Sequence, residues 1–150
     1  MIISRFAALF TAAIVLFSSP AFAASTSYED ALKSSSALYE KGQFQEAIPF
    51  AKQALALAEQ EVGTDDEAFA GLLDNLAALY EAELRYVEAK PLYQRALDIR
   101  VKIYGAKHPE VVKSLINLAL IYDALGDYRT AVKMDARAIE IIETENLRGA

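Results

Sequence analysis

Few side chains in this chain of 150 residues have the type and spacing to do covalent or metal chemistry. The single histidine, His108, lies in the segment Gly105-Ala106-Lys107-His108-Pro109, and the chain has no cysteine. One histidine without cysteine excludes a His/Cys zinc set and a Cys–His nucleophile pair. In a turn ahead of a proline, His108 is expected to shape a helix entry rather than to catalyse. Asp65, Asp66 and Glu67 form a run of carboxylates that could attract a cation. Acids at the start of a helix are already accounted for by the positive end of the macrodipole. No Gly-rich phosphate loop is present. The sequence therefore predicts no catalytic residue, no metal site and no cofactor. Its net charge of −6 argues against nucleic acid, whose phosphates require clustered Lys and Arg. That charge favours partners with basic or neutral faces.

What the residues do carry is a repeat. Ala47, Ala89 and Ala131 stand 42 positions apart, as do Phe44, Tyr86 and Tyr128, and Ala54, Ala96 and Ala138. Between Leu73–Ile99 and Leu115–Ile141, eleven positions are identical: Leu73, Asn75, Leu76, Ala77, Tyr80, Ala82, Tyr86, Ala89, Arg95, Ala96 and Ile99 each recur 42 later. Chance would supply roughly two or three in a chain this rich in Ala and Leu. The first copy has diverged most, with Ser34 and Ser35 in place of Leu76-Ala77 and Leu118-Ala119. End repeats are free to diverge because one of their faces meets water.

Apolar residues recur at three- and four-residue steps throughout, so the elements that must position any site are helices. Six are predicted, at about 27 to 40, 45 to 61, 66 to 82, 87 to 104, 109 to 124 and 129 to 146. Gly42 and Gly126 fall in the short turns within units and Gly63 and Gly105 between units, where φ > 0 ends a helix cheaply. Thr64 or Asp65 is expected to cap the third helix, and Pro109 to open the fifth. Pro49 and Pro91 are expected near the end of a first turn, where an amide proton scarcely has an intrahelical partner. Leu84 occupies the place of Gly42 and Gly126, which predicts a strained left-handed leucine.

Residues 1 to 23 differ in kind. Arg5 precedes an apolar run from Phe6 to Phe17, then Ser18-Ser19-Pro20 and Ala21-Phe22-Ala23. This pattern predicts a secretory signal peptide cut after Ala23, and with it an exported, periplasmic or secreted, bacterial protein. The run is shorter than the ~20 residues of a stable membrane helix, so no stable membrane span is expected after cleavage. The organisation predicted is a signal peptide at 1–23, a linker at 24–27, repeat units at about 28–62, 66–104 and 108–146, and a tail at 147–150.

The order small residue, Tyr, Gly, aromatic, Ala, Ala resembles the tetratricopeptide repeat. It reads Leu118, Ala119, Tyr122, Gly126, Tyr128, Ala131, Ala138 in the third unit and Leu76, Ala77, Tyr80, Leu84, Tyr86, Ala89, Ala96 in the second. In the first, Ser35, Leu38, Gly42, Phe44, Ala47 and Ala54 fill it. The 42-residue stride, with Asn75-Leu76-Ala77-Ala78-Leu79-Tyr80 and Tyr93-Gln94-Arg95-Ala96-Leu97, is similar to the kinesin-light-chain subtype. The resemblance implies an all-α fold, a right-handed superhelix or solenoid of three helix-turn-helix units. Phe44, Tyr86 and Tyr128 would then fill the space between one unit and the next.

The resemblance also implies a concave groove lined by the first helix of each unit. It carries that wall to Asn75, Ala78, Glu81 and Ala82 in the second unit, to Lys113, Asn117, Leu120 and Asp123 in the third, and to Lys33, Ser36 and Glu40 in the first. Side-chain amides donate and accept, so Asn75 and Asn117 could clamp an extended backbone. Glu40, Glu81 and Asp123 recur near one phase and would favour a Lys- or Arg-bearing ligand. The function implied is a non-catalytic protein-binding module, with a structural or scaffold subunit of an envelope or secretion assembly, or an accessory to an enzyme, as alternatives. Val132, Ala138, Ile139, Ile141 and Ile142 make the last helix apolar enough for self-association, or for coverage by its own unit.

Overall fold

The computed structural model describes residues 27–148. Among them lie six helices and no strand: α1 (Tyr28–Glu40), α2 (Phe44–Glu61), α3 (Glu67–Ala82), α4 (Tyr86–Tyr104), α5 (Glu110–Ala124) and α6 (Tyr128–Arg148). The predicted signal peptide and nearly all of the linker fall outside the described residues. α6 runs past residue 146 to Arg148. Each helix packs on its neighbours in sequence, the one-dimensional order of a solenoid.

Local chemistry sets the helix ends. Ser27 Oγ accepts from Asp30 N at 3.2 Å to open α1. Asp66, not Thr64 or Asp65, caps α3, its Oδ1 accepting from Ala68 N at 2.8 Å. Asp65 instead pairs with Lys102. Pro109 lies just before α5 in a helical conformation, and His108 Nδ1 accepts from Glu110 N at 3.2 Å. Pro49 and Pro91 correct the expectation about them. With α2 starting at Phe44 and α4 at Tyr86, each proline is in the second turn and removes a bond that Gln45 or Val87 C=O would otherwise accept.

The turns inside the three units share one geometry. Gly42 N donates to Tyr39 O and Gln43 N to Leu38 O, both at 2.9 Å; Gly126 N and Asp127 N repeat this at 2.9 and 2.8 Å. Leu84 N and Arg85 N do the same, both at 2.8 Å, and Leu84 sits at φ 57° where Gly42 and Gly126 have φ 72° and 81°. A leucine there stores ~1–2 kcal/mol, while a glycine adds ~0.4–1 kcal/mol of unfolded-chain entropy. Leu84 is 71% exposed, so little packing is lost with its side chain. Leu84→Gly is therefore expected to raise the melting temperature by about 3 °C. An unchanged or lower midpoint in a thermal melt would contradict the strain.

The core consists of two clusters of buried side chains, with the partly buried Leu55 and Leu92 packed against both. Ala47, Ala54, Ala89 and Ala96 have no exposed surface, and Ala131 and Ala138 have little; without bulk at these positions the helices approach closely. Leu73, Leu79, Leu115, Leu118 and Ile121 fill the space between helices. In the diverged first unit, Ser35 is buried and its hydroxyl donates to Ala47 C=O at 3.2 Å, so the polar atom is satisfied. Phe44 and Tyr86 are half-buried. Tyr128 departs from their role: it is 65% exposed, because no described helix lies over it.

Candidate functional site

The first helices of successive units bring part of the predicted wall together. Ser35, Ser36, Tyr39 and Glu40 of α1 face Asn75, Ala78 and Leu79 of α3 across a cavity of about 300 Å³. Helical spacing explains the set: Ser36 with Tyr39 and Glu40, and Asn75 with Ala78 and Leu79, are separated by three or four residues and so share a face. Asn75 is exposed, leaving its amide available for hydrogen bonding. Tyr39 is 46% exposed, its ring set edge-on to Phe44 at 5.2 Å.

The other predicted residues do not converge on that cavity. Leu120 and Asp123 line a second depression, about 320 Å³, with Ile116, Tyr128, Val132 and Asp135. Lys33 and Lys113 are exposed and Asn117 half-buried, each on the α1 or α5 surface outside both cavities. Glu81 is half-buried and already engaged: Tyr93 Oη donates to its Oε2 at 2.9 Å. Burial, reinforced by that carboxylate acceptor, pushes the Tyr93 hydroxyl far above the ordinary phenol range and keeps it a donor. Tyr39 was not among the predicted residues. Its register was a readable signal, because it stands 42 before Glu81 and 84 before Asp123.

A polar cluster unforeseen in the sequence ties the second unit to the third. Arg100, 4% exposed, places Nη1 2.8 Å from Asp74 Oδ2 and donates from Nε to Glu67 Oε1 at 2.9 Å. Its Nη1 also donates to Ser114 Oγ of α5 at 2.6 Å. That bond is the better directed of the two Nη1 contacts, and neither Asp74 oxygen receives a well-aligned hydrogen bond among the described residues. Asp74 is thus held by charge. Its burial pushes the carboxyl above its ordinary value, and Arg100 offsets only part of that. For Arg100, burial acts to lower the pKa, but Asp74 and Glu67 together raise it. The carboxylate run at 65–67 is thereby used structurally, in an ion pair, a helix cap and this cluster.

Comparison with known proteins places this arrangement. A tetratricopeptide repeat family model matches residues 67–144, and a second model of the same description matches residues 35–68. Two fungal relatives are clustered mitochondria protein homologs. The one from Lodderomyces elongisporus is 30% identical over 101 residues, spanning 67% of this chain and 7% of the relative. The one from Meyerozyma guilliermondii is 33% identical over 101 residues, spanning 67% and 8%. The chain thus spans less than a tenth of the length of these relatives. Among solved structures, BtubC (BKLC) from P. vanneervenii superposes with a TM-score of 0.74 at 23% identity, over 79% of this chain and 48% of that one. A putative kinesin light chain from Podosopora anserina, built of nearly identical TPR-like repeats, superposes with a TM-score of 0.64 at 25% identity, over 76% and 52%. The TPR domain of Arabidopsis FLU gives 0.67 at 22%, over 78% and 95%.

These relatives overturn the expectation of a bacterial periplasmic or secreted protein, because they are fungal and bear the name of clustered mitochondria proteins. A short apolar run followed by small residues is a compositional pattern of low specificity. Among the described residues no helix is long and apolar enough to cross a membrane. Tetratricopeptide repeats generally bind protein partners and are generally non-catalytic. With six helices paired at a 42-residue stride and family models matched over 35–68 and 67–144, the chain belongs to the tetratricopeptide repeat family, in its kinesin-light-chain-like form.

Proposed function

We propose that this chain binds an extended protein segment bearing Lys or Arg along the wall made by α1, α3 and α5, and that it catalyses nothing. The observation that carries this reading is the α1–α3 cavity, where Asn75 offers an amide to a peptide backbone and Glu40 a carboxylate to a basic side chain. Tyr39 adds an aromatic face, to which a cation is attracted. Further along the wall, Asn117 repeats Asn75, and Asp123 supplies negative charge. The end formed by α5 and α6 is a second contact surface of the same module, open to another copy of the chain or to a different protein.

A fluorescein-labelled nine-residue peptide with lysines at alternate positions tests the groove. Asn75→Ala and Glu40→Lys are each expected to weaken its binding about tenfold, with melting temperatures unchanged. Glu59→Lys, an exposed site on α2, should leave affinity within about twofold once salt screens its long-range field. Equal losses at all three positions would sink the groove reading, since they would report net charge alone.

A further inference from the structure

The second unit shows what its partner-facing side needs. Tyr93, Leu97 and Arg100 of α4 are 3–4% exposed; Tyr93 donates to Glu81 of α3 and Arg100 to Ser114 of α5, which packs on α4. Forty-two residues on, the corresponding Asp135, Ile139 and Ile142 of α6 are open. Ile139 is 54% exposed and Ile142 45%, Val132 and Tyr128 beside them are 65% exposed, and Ile116 and Leu120 of α5 continue the patch at 42% and 55%. The buried pair Asp74 and Arg100 corresponds to Ile116 and Ile142, while Tyr93 corresponds to Asp135, so this end exchanges a buried ion pair for two isoleucines and keeps one carboxylate. Tyr128, Val132, Asp135, Ile139 and Ile142 step by 4, 3, 4 and 3 residues, the spacing of a two-helix seam, with Asp135 its one polar member.

Charge on α6 points to the occupant. Arg129, Lys133 and Arg137 outnumber Asp135 in its first half, and Glu140, Glu143 and Glu145 outnumber Arg148 in its second. Within one chain that order gains little from the macrodipole beyond Asp127, which precedes the helix and accepts from Thr130 N at 3.1 Å. Laid antiparallel against itself, however, the helix sets its basic half over its acidic half. Val132 then meets Ile142 of the second copy, Asp135 meets Ile139, and Arg129 meets Glu143 twice across the two-fold axis. We infer that the α5–α6 end is an isologous dimer interface, with α6 pairing antiparallel to α6 of a second copy. This surface lies apart from the α1–α3 cavity and meets the peptide wall only at the α5 depression that Asp123 shares with Leu120, Tyr128 and Val132, so Asn75→Ala and Glu40→Lys test the groove reading separately.

Sedimentation velocity on the full chain, across about 1–100 µM, is the test. The wild type is expected to shift from monomer to dimer in that range. Arg129→Glu alone and Glu143→Arg alone are each expected to weaken association about tenfold or more, because each places like charges face to face in both symmetry-related contacts. An equimolar mixture of the two variants should recover dimer. In the mixed dimer the two substituted side chains face each other with opposite charges, and the second contact keeps the native Arg129 against the native Glu143. Lysine-peptide binding in the α1–α3 cavity should survive in both variants. A wild type that stays monomeric overturns the inference and leaves this end to a different protein. Single variants that associate like wild type, or a mixture that fails to recover, overturn it as well, by locating self-association elsewhere in the chain.

Discussion

Arg100→Ala is expected to destabilise the protein by about 3–5 kcal/mol at neutral pH, a large part of the roughly 5–15 kcal/mol that holds a domain together. The cause is less the lost ion pair than what stays behind. Asp74 would remain buried with no counter-charge, and Ser114 Oγ would lose a 2.6 Å donor. The deficit should depend on pH in one direction. Burial already raises the folded-state pKa of Asp74 above its ordinary value of 3.8, and removing Arg100 raises it further. A carboxyl with a raised folded pKa favours the folded state when protonated, and that contribution is lost as pH rises through the folded pKa. The deficit of Arg100→Ala should therefore narrow as the solution is acidified. The third unit suggests the rescue, since it holds Ile116 and Ile142 where the second holds Asp74 and Arg100. Asp74→Ile with Arg100→Ile should recover most of the loss, as buried ion pairs replaced by apolar groups often do. Urea melts of the single and double variants check this. A double variant as unstable as the single one would show that the polar cluster itself holds α3, α4 and α5 together.

Leu118→Ala should cost about 2–5 kcal/mol. Leu118 is fully buried on α5, which packs mainly against α4 and α6. In such a linear stack a cavity can be closed only by shifts of the adjoining helices, because the rest of the array does not surround it. Leu120, two positions on but 55% exposed, provides the contrast: Leu120→Ala should stay within about 0.5 kcal/mol in the monomer. Denaturant midpoints give both values, and hydrogen exchange should show α6 amides accelerated most in Leu118→Ala. Equal effects at 118 and 120 would mean that the face of α5 turned to the core has been misassigned.

Much of this fold was legible because repetition amplifies weak signals. One Ala at a helix crossing means little, but Ala47, Ala89 and Ala131 in step define a packing layer. Leu84 was readable for the same reason, as the exception at a glycine position, and its φ of 57° follows. The Asp74–Arg100 cluster was hidden because it occurs once. Two residues 26 apart in sequence carry no periodic trace, and only their replacement by Ile116 and Ile142 marked the site. Capping slipped by one residue because Thr64, Asp65 and Asp66 all have capping oxygens, and backbone geometry chooses among them. The wall was only partly legible. Register alone aligns Lys33, Asn75 and Asn117, yet what each side chain meets depends on neighbours from other helices, as the Tyr93 hydroxyl on Glu81 shows.

Amide chemical-shift mapping with the lysine peptide tests groove recognition most directly. Shifts clustered at Ser36, Tyr39, Glu40, Asn75 and Ala78, continuing toward Asn117, are the expected result. Shifts confined to α2, α4 and α6, or none at saturating peptide, would contradict binding along the wall of first helices.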